Sequence, residues 1–361
     1  DLSSSCLLGA TDEPYFFASA HQKAWVWARL SDGQVVFGGR WLLISWGAMK
    51  SDGVLRLGVD LGGTKMEAVV LRLDGESFEV LHRLRRPTER ALGYDHIVAS
   101  LCELIWDTAK QAGQKSLPPI GIGMPGSISR RTGLTKNSNT TCLNGRPFRA
   151  DVSARIGQPV RFANDANCFA HAEARFGAGR GHRVVFGVIL GTGVGGGLVF
   201  PGEQGTLDAW DGPQGIAGEW GYVSLEPATG PVCYCGLRGC IETFLCGPAI
   251  EARYRQLGGT LADDGTPLSL PQIVARVTTD SIARQVCDAH TTMFGRAIAT
   301  VINIVDPDVI VLGGGVSNLP WLYTDGVSEA AKWVFSDELT TPIVKHQLGD
   351  SAGVIGAALL P

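Results

Sequence analysis

The sequence has no long apolar run, no strong excess of one sign of charge and no repeated tract. None of its apolar runs approaches the roughly 18–20 residues that a membrane-spanning helix needs. Its 31 Lys and Arg residues are nearly balanced by 35 Asp and Glu residues, which leaves a net charge of −4. Such a mild acidic balance argues against a surface for duplex nucleic acid. We therefore expect neither a membrane nor nucleic acid among the partners of this protein.

Cysteine is too sparse for a disulfide-bonded scaffold. The chain has nine Cys in 361 residues, an odd number spread over a long sequence. Six of them are isolated, and the other three cluster between Cys233 and Cys240. This usage predicts reduced thiols and a cytoplasmic protein.

Residues 1–48 contain no Met and no basic segment followed by an apolar one, so they do not form a standard signal peptide. They hold four of the nine Trp residues. Met49 is the first Met, and a regular alternation of elements starts soon after it. We expect Met49 to be the natural start and residues 1–48 to be a non-native or disordered extension. The alternative is a genuine extension that packs on the rest of the protein through its Trp residues.

Glycine is the residue in excess, with 48 of 361 positions, about twice average usage. There is no G-X-Y period and no Gly/Ser tract, which excludes collagen and long flexible linkers. Hydrophobic periodicity predicts alternating strands and helices. Strands are predicted over residues 55–60, 66–72, 78–84, 119–124, 160–163, 184–190, 197–200 and 309–312, and helices over 94–112, 166–176, 283–304 and 353–360. Two successive α/β units indicate two similar lobes.

Three predicted strands run directly into glycine-rich loops, at residues 60–65, 191–197 and 313–317. Glycine lets backbone N–H groups approach phosphate oxygens without a Cβ in the way. In the first loop Thr64 and Lys65 add a hydroxyl and a cation, and the carboxylate of Asp60 is suited to Mg²⁺ or its waters. Each loop alone could be an ordinary turn. The three together predict a nucleotide bound in a cleft between two lobes.

Two further motifs carry functional groups. Residues 164–167 (NDAN) lie at a strand end ahead of a helix, where a carboxylate is well placed as a general base. Asn and Asp also cap helices well, and the spacing alone favours a cap. Residues 233–240 have the pattern C-x-C-x₄-C, which predicts part of a Zn²⁺ site, although zinc prefers four ligands. The alternative is a set of reduced thiols.

From residue 54 to the C-terminus, the chain resembles the sugar kinases of the ROK family (repressors, open reading frames and kinases). The motifs DLGGTK, GMPGSIS, NDAN, LGTGVGGG, AGEWG, CYCGLRGCIE and VLGGGVS occur in the order of that family. The stretches KNSNTTCLNGRPF (136–148) and GCIETF (239–244) are most similar to bacterial fructokinases and mannofructokinases.

This resemblance implies an α/β, actin-like (ribonuclease H-like) ATPase fold with two similar lobes and an active-site cleft between them. The N-terminal lobe would span residues 49–163, with residues 353–361 packing back on it. The C-terminal lobe would span residues 164–352 and carry a Cys-rich, zinc-type loop at 233–240. The resemblance also implies a homodimer.

The implied activity is transfer of the γ-phosphoryl group of ATP, with Mg²⁺, to the 6-hydroxyl of fructose or mannose. Asp165 is implied to be the general base. The residues implied to hold the sugar are Gly126, Asn139, Asn164, Glu219, Tyr222 and Glu242. Those implied to hold ATP are Asp60, Gly62, Gly63, Thr64, Lys65, Gly191, Thr192, Gly193, Gly314 and Gly315. The implied zinc ligands are Cys233, Cys235 and Cys240.

The chain departs from the family at Tyr222. Kinases of this type carry a His there, which is the fourth zinc ligand and also contacts the sugar. No His occurs between Arg183 and Asp288 that could replace it nearby in sequence. Three outcomes are open: zinc held by three thiolates and water, zinc with a distant ligand, or no metal. We expect zinc to be retained, because all three Cys are present.

Several other functions are compatible with the resemblance. Glucose or an N-acetylhexosamine could replace fructose as the substrate. A transcriptional repressor of this family would need an N-terminal helix-turn-helix, and residues 1–48 offer no convincing helical pair. A non-catalytic sugar sensor would have lost its site, whereas Asp60, Asp165, Glu219 and Glu242 are all present.

Overall fold

The computed structural model describes residues 15–18, 25–31, 34–37, 53–202 and 206–361. The chain divides into two compact units, Asp1–Gly53 and Val54–Pro361. In the first unit β1 (Tyr15–Ala18), β2 (Trp25–Ser31) and β3 (Gln34–Phe37) form an antiparallel sheet in that order. The other residues of 1–48 lie outside the described residues. The interpretation of this segment as an extension therefore stays a prediction.

The second unit is built on two five-stranded mixed sheets. The strands of the first sheet are β4 (Val54–Leu61), β5 (Lys65–Asp74), β6 (Ser77–Pro87), β7 (Ile120–Met124) and β10 (Val160–Asn164). Between β7 and β10, β8 (Ser127–Ile128) and β9 (Thr135–Lys136) form a small antiparallel hairpin. The strands of the second sheet are β11 (Val185–Leu190), β12 (Val194–Pro201), β13 (Leu207–Ala209), β14 (Val309–Gly313) and β15 (Ile343–Lys345).

The two sheets have the same strand order. The first runs β10-β7-β4-β5-β6, and the second, written in the same direction, runs β15-β14-β11-β12-β13. In each sheet the central strand pairs in parallel with one neighbour and antiparallel with the strand that follows it in sequence. This repeated order is the actin-like, ribonuclease H-like arrangement of two similar lobes that the resemblance implies.

Helices connect and cover these sheets. They are α1 (Tyr94–Gln111), α2 (Phe148–Ile156), α3 (Asp165–Phe176), α4 (Glu242–Leu245), α5 (Gly247–Gln256), α6 (Leu270–Val274), α7 (Ser281–Val305), α8 (Asp325–Ala331) and α9 (Ala352–Ala358). The helices predicted at 94–112, 166–176, 283–304 and 353–360 are confirmed as α1, α3, α7 and α9. Along α1 the apolar face predicted from the helical spacing is buried, because it packs on the first sheet. Among the described residues, no helix is both long and apolar enough to cross a bilayer.

Helices α3 and α9 pack against each other and share a core with strands of both sheets. Apolar side chains of the two helices join those of β5, β11 and β14 in one buried cluster. Glycines make this close packing possible, since a Cβ on Gly356 would overlap the carbonyl of Cys168, and one on Gly58 would overlap that of Val354. The lobe boundaries at residues 163 and 352, and the homodimer, stay predictions.

Candidate active site

The first sheet brings polar residues together at the carboxyl ends of its parallel strands. Asp60 lies near the end of β4, Gly126 follows β7, and Asn164 ends β10. Strand pairing places Asn164 opposite Met124 and Asp60 opposite Gly123. In open α/β sheets this edge is where ligands bind. Three of the residues implied by the resemblance therefore share one edge of the sheet.

The structure shows Asn164 as the cap of α3, whereas the role of Asp165 as general base stays a prediction. The side-chain oxygen of Asn164 accepts a hydrogen bond from the Ala166 N–H at 2.9 Å, so Asn164 is the N-cap of α3. Its amide Nδ2 donates to the carbonyl of Gly126 at 3.3 Å. Asp165 is the first residue of α3, and one carboxylate oxygen accepts from the same Ala166 N–H at 2.8 Å. The carboxylate also interacts with its own backbone N–H, and both contacts lower the pKa of Asp165.

Four buried or half-buried carboxylates give the site its electrostatic character. Burial raises the pKa of Asp165 to about 6, and the charge of Glu219 adds to this effect. The pKa of Asp60 is raised to about 7, mainly by burial and further by the charges of Asp165 and Glu67. The charge of Lys65 acts in the opposite direction. The pKa values of Glu219 and Glu242 are also raised, first by burial and, for Glu219, by the charge of Glu242. This concentration of negative charge favours hydroxyl donors and cations.

Asp60 and the loop after β4 fit magnesium and phosphate. A carboxylate with a pKa raised by burial gains from a divalent cation, and Mg²⁺ prefers such oxygen ligands. Gly63 faces space beside the Oγ1 of Thr140, which would lie 3.9 Å from a Cβ at Gly63. That hydroxyl is buried and has no hydrogen-bond partner among the described residues. An oxygen-rich ligand over Gly63 would supply the missing partner.

The loop formed by the second glycine motif is shorter than predicted. Residues 191–197 were expected to form one phosphate-binding loop, but β12 already begins at Val194. A Cβ on Gly196 would come within 2.5 Å of the Trp220 ring, and one on Gly197 would overlap the carbonyl of Ala166. These glycines therefore allow Trp220 and α3 to pack closely on the sheet. Gly191, where an added Cβ would meet nothing within 4 Å, remains available to a ligand.

Glu242 links this shortened glycine turn to the proposed sugar site. Its Oε2 accepts a hydrogen bond from the Val194 N–H at 3.0 Å. A Cβ on Gly193 would lie only 2.8 Å from the same oxygen.

In the third glycine loop, Gly314 has φ +80°, and a Cβ there would overlap the carbonyl of Leu190, whereas Gly315 faces open space. The backbone conformation thus requires a glycine at 314, whereas the space beside Gly315 is open to a ligand.

Asn164 and Glu219 line a small cavity of about 180 Å³. It is also lined by polar residues that sequence reasoning did not select, namely Ser127, Arg130, Arg149, Asn167 and Asp211. Ser127 Oγ and Asn167 Oδ1 are buried and lack partners among the described residues. Asn167 belongs to the NDAN motif and lies three residues after Asn164 in α3, so helical spacing could have identified it.

Two further residues lie near the loop after β4 and Asp60. Asn139 lies beside the loop after β4, with its Oδ1 4.0 Å from the position of a Cβ at Gly63. It therefore borders the loop assigned to phosphate, and its role as a sugar ligand stays a prediction. Sequence reasoning missed Gly353 at the start of α9, where a Cβ would lie 3.1 Å from Asp60 Oδ2.

The three cysteines of the 233–240 loop converge. Their sulfur atoms all lie within 4.8 Å of one another, and those of Cys235 and Cys240 are 3.6 Å apart. Among the described residues, no His, Asp or Glu joins this group. The Tyr222 hydroxyl is hydrogen-bonded to the hydroxyl of Tyr234, a residue of the same loop. The thiols fit three of the four positions of a zinc site.

Comparisons with known proteins agree with this geometry. A family model described as "ROK family" matches residues 56–361. An N-acetyl-D-glucosamine kinase of Escherichia coli O1:K1 is 33% identical over 313 residues, which cover 84% of this chain and 98% of that protein. The ROK hexokinase of Thermus thermophilus is 30% identical with a TM-score of 0.71 and covers 85% of this chain and 97% of its own. A ROK family glucokinase of Streptomyces griseus, solved with glucose and AMPPNP, is 29% identical with a TM-score of 0.66 over 85% and 98% of the two chains.

Proposed function

Because this chain belongs to the ROK family, we propose that it transfers the γ-phosphoryl group of ATP to the 6-hydroxyl of fructose or mannose. The observation that carries this proposal is the position of Asp165. It starts α3 at the ligand-binding edge of the first sheet, and burial raises its pKa to about 6. A carboxylate with that pKa is ionised at neutral pH and is a stronger base than an exposed aspartate.

The chemistry follows from these groups. A primary sugar hydroxyl is a weak nucleophile, so Asp165 accepts its proton as the oxygen attacks the γ-phosphorus. The new oxygen–phosphorus bond forms while the bond to the leaving ADP oxygen breaks. Asn164, Glu219 and Glu242 would bind the other hydroxyls and so orient the reacting one. Positioning contributes most in such a transfer, because the protein takes little part in covalent chemistry.

ATP and Mg²⁺ would be held between the two sheets. Asp60 would hold the metal or its waters, and bound Mg²⁺ neutralises charge on the phosphate oxygens. Backbone N–H groups of residues 62–65 and 191–193 would bind the phosphates, with Lys65 adding a cation. Gly314 and Gly315 would lie against adenosine. The Thr140 hydroxyl, buried beside Gly63, would gain a partner in this arrangement.

The preference for fructose or mannose rests on two stretches of sequence, 136–148 and 239–244, which resemble fructokinases and mannofructokinases. N-acetylglucosamine is the second candidate substrate. It is favoured by the 33% identical N-acetyl-D-glucosamine kinase and by the cavity beside Asn164. An acylamino group offers an N–H for Asn167 Oδ1 and a carbonyl for Ser127 Oγ, both of which lack partners among the described residues.

A panel of hexoses in one coupled assay of ADP release tests both candidates. We expect kcat/KM for fructose or mannose to exceed that for glucose by about fivefold or more, since a lost hydrogen bond to a buried polar group costs at least about 1 kcal/mol. A higher kcat/KM for N-acetylglucosamine would support the second candidate instead. ADP release that does not depend on any hexose would contradict a sugar kinase and favour a sensor or repressor.

We expect kcat/KM to depend on a single deprotonation near pH 6. Asp165 must be ionised to accept a proton, so activity rises with pH through the pKa of about 6. The measurement is kcat/KM for the sugar from pH 5 to 9 with excess coupling enzymes. A flat profile down to pH 5 would show that Asp165 is not the base.

We propose that the three thiols hold one zinc ion, with water in the fourth position. Metal analysis of protein purified without chelators should find close to one zinc per chain. Cys240→Ser should lose the metal, because only two thiolates remain, while the buried and isolated Cys287→Ser serves as the matched control. Less than about a tenth of an equivalent of zinc in the unaltered protein would leave three reduced thiols as the correct interpretation.

A further inference from the structure

An arginine that no sequence motif singled out lies beside the loop after β4. Arg90 begins a single 3₁₀ turn, Arg90–Leu92, between β6 and α1. Its Nη1 lies 3.8 Å from the position of a Cβ at Gly63. Thr140 Oγ1 and Asn139 Oδ1 lie 3.9 and 4.0 Å from the same position. Three polar atoms from outside the loop therefore surround one point that the glycine leaves without a side chain.

Two hydrogen bonds from Thr88 hold the chain before Arg90 against this loop. The Thr88 N–H donates to the carbonyl of Thr64 at 2.9 Å, and its hydroxyl donates to that of Gly62 at 2.7 Å. The next residue, Glu89, has φ +49° and ψ +44°, a left-handed conformation that is uncommon outside glycine. Strained residues of this kind cluster at ligand sites. The position of Arg90 is thus set relative to the loop.

The Arg90 side chain is exposed and available to a ligand. Among the described residues it forms neither an ion pair nor a side-chain hydrogen bond. The adjacent carboxylate of Glu89 bonds instead to His96 Nε2, at 2.9 Å. A guanidinium presents paired N–H donors that match the oxygens of a phosphate. An unpaired arginine fixed beside a glycine loop therefore suits a phosphate group.

The charge of the candidate site favours this use of Arg90. Its four carboxylates repel a triphosphate unless cations lie between them. Lys65 is the cation of the loop, but its charge already acts on Asp60, whose pKa it lowers. Arg90 supplies a second cation beside Gly63, and among the described residues no carboxylate forms an ion pair with it.

The neighbours of Arg90 indicate which phosphate group would lie there. Arg90 and the Thr140 hydroxyl can both donate to phosphate oxygens. Asn139 Oδ1 is an acceptor, and a sugar hydroxyl is a donor that suits it. A phosphate with a sugar hydroxyl directly beside it is the group that is transferred. The point beside Gly63 therefore fits the terminal phosphate of the nucleotide better than the two inner ones.

We propose that Arg90 is a further catalytic residue, which binds the γ-phosphoryl group of ATP and neutralises charge on its oxygens during transfer. The catalytic part rests on the proposed function, whereas the binding of a terminal phosphate rests on the geometry beside Gly63. Arg90 donates hydrogen bonds and exchanges no proton. The sugar hydroxyl still gives its proton to Asp165, and its oxygen replaces the ADP oxygen on phosphorus.

AMPPNP and ADP are matched probes for the binding, because only AMPPNP carries a third phosphate. Calorimetry with Mg²⁺ on the full chain should show that Arg90→Gln binds AMPPNP about tenfold or more weakly than the unaltered protein, and ADP about equally. Arg90→Lys should lose less affinity, since it keeps the charge without the paired donors. An unchanged affinity of Arg90→Gln for AMPPNP, or an equal loss for ADP, would overturn the proposal.

Arg284→Gln is the matched control for the loss of one positive charge. Arg284 is exposed on α7 and also forms no ion pair among the described residues. This variant should bind both probes as the unaltered protein does. Both variants should keep the urea midpoint of the unaltered protein, because neither side chain is buried or paired. A lower midpoint for Arg90→Gln alone would give Arg90 a structural role and overturn the proposal.

Turnover tests the catalytic part separately. With saturating ATP and hexose, Arg90→Gln should lower kcat by about a hundredfold, while KM for the hexose stays within about twofold. A raised KM for the hexose with an unchanged kcat would place Arg90 at the sugar and overturn its catalytic role. Weaker AMPPNP binding by Arg90→Gln, without sugar-dependent turnover in the unaltered protein, would overturn the proposed function and leave the phosphate site standing.

Discussion

We expect Asp165→Asn to lower kcat by ~10²–10⁴-fold while fold and sugar binding are retained. The amide has nearly the shape of the carboxylate, and its oxygen can still accept from the Ala166 N–H, so α3 begins in the same way. It cannot accept the proton of the sugar hydroxyl. The measurements are turnover in the coupled assay, sugar affinity by calorimetry, and the circular dichroism spectrum.

Stability supplies a second measurement on the same variant. The pKa of Asp165 is about 6 in the folded protein and near 3.8 when unperturbed. The ionised carboxylate therefore opposes folding, with no cost below pH 3.8 and the full cost above pH 6. Asp165→Asn should raise the free energy of unfolding at pH 8 by about 1–3 kcal/mol, and the gain should vanish near pH 4.

The matched control is Asp280→Asn, another carboxylate at a helix N-terminus. Asp280 caps α7 by accepting from the backbone of Ile282 and Ala283, and asparagine caps helices about as well. Turnover of this variant should stay within about twofold of the unaltered protein, since it lies outside the proposed site. Near-normal turnover of Asp165→Asn would remove Asp165 as the base, whatever the control shows.

We expect Gly356→Ala to lower the free energy of unfolding by about 3 kcal/mol. Gly356 is the point where α9 meets α3, and an added Cβ would overlap the carbonyl oxygen of Cys168. Both helices belong to the core shared with the two sheets, so neither can move away without opening that core. Because α3 also carries Asp165, turnover should fall together with stability. Urea unfolding of both proteins measures the loss.

A comparable glycine without such a contact provides the control. Gly247 is the first residue of α5, and the nearest atom to an added Cβ there would be 3.5 Å away. Gly247→Ala should leave the free energy of unfolding within about 0.5 kcal/mol of the original value. If Gly356→Ala also leaves the free energy of unfolding unchanged, the close contact between α9 and α3 is not required by the fold.

Local patterns in the sequence were sufficient for the elements and for several site residues. The periodicity of residues 94–112 predicts α1, because apolar residues that recur at helical spacing form one face, and that face packs on the first sheet. The strands that lead to residues 60 and 191 were predicted because each is a short apolar run followed by glycines. The proximity of Cys233, Cys235 and Cys240 follows from eight residues of chain. These features depend on neighbours in sequence, and a short segment carries all the information.

The roles of individual residues were less accessible. Glycines 195–197 have the composition of a phosphate loop, but Trp220 and α3 are what they accommodate. Asn167 could be found only weakly from its motif, since its importance lies in an oxygen left without a partner beside Asn164.

The sequence by itself determined the α/β alternation, the glycine-rich ends of the strands, the family and the carboxylates of the candidate site. All of these are written as short motifs in which one residue constrains the next few. Only the tertiary structure decided that Asn164 caps α3, that burial raises the pKa of Asp165, and that glycines 195–197 serve packing. The physical reason is that burial, pKa and unsatisfied hydrogen bonds arise from atoms distant in sequence, which meet only when the sheets and helices pack.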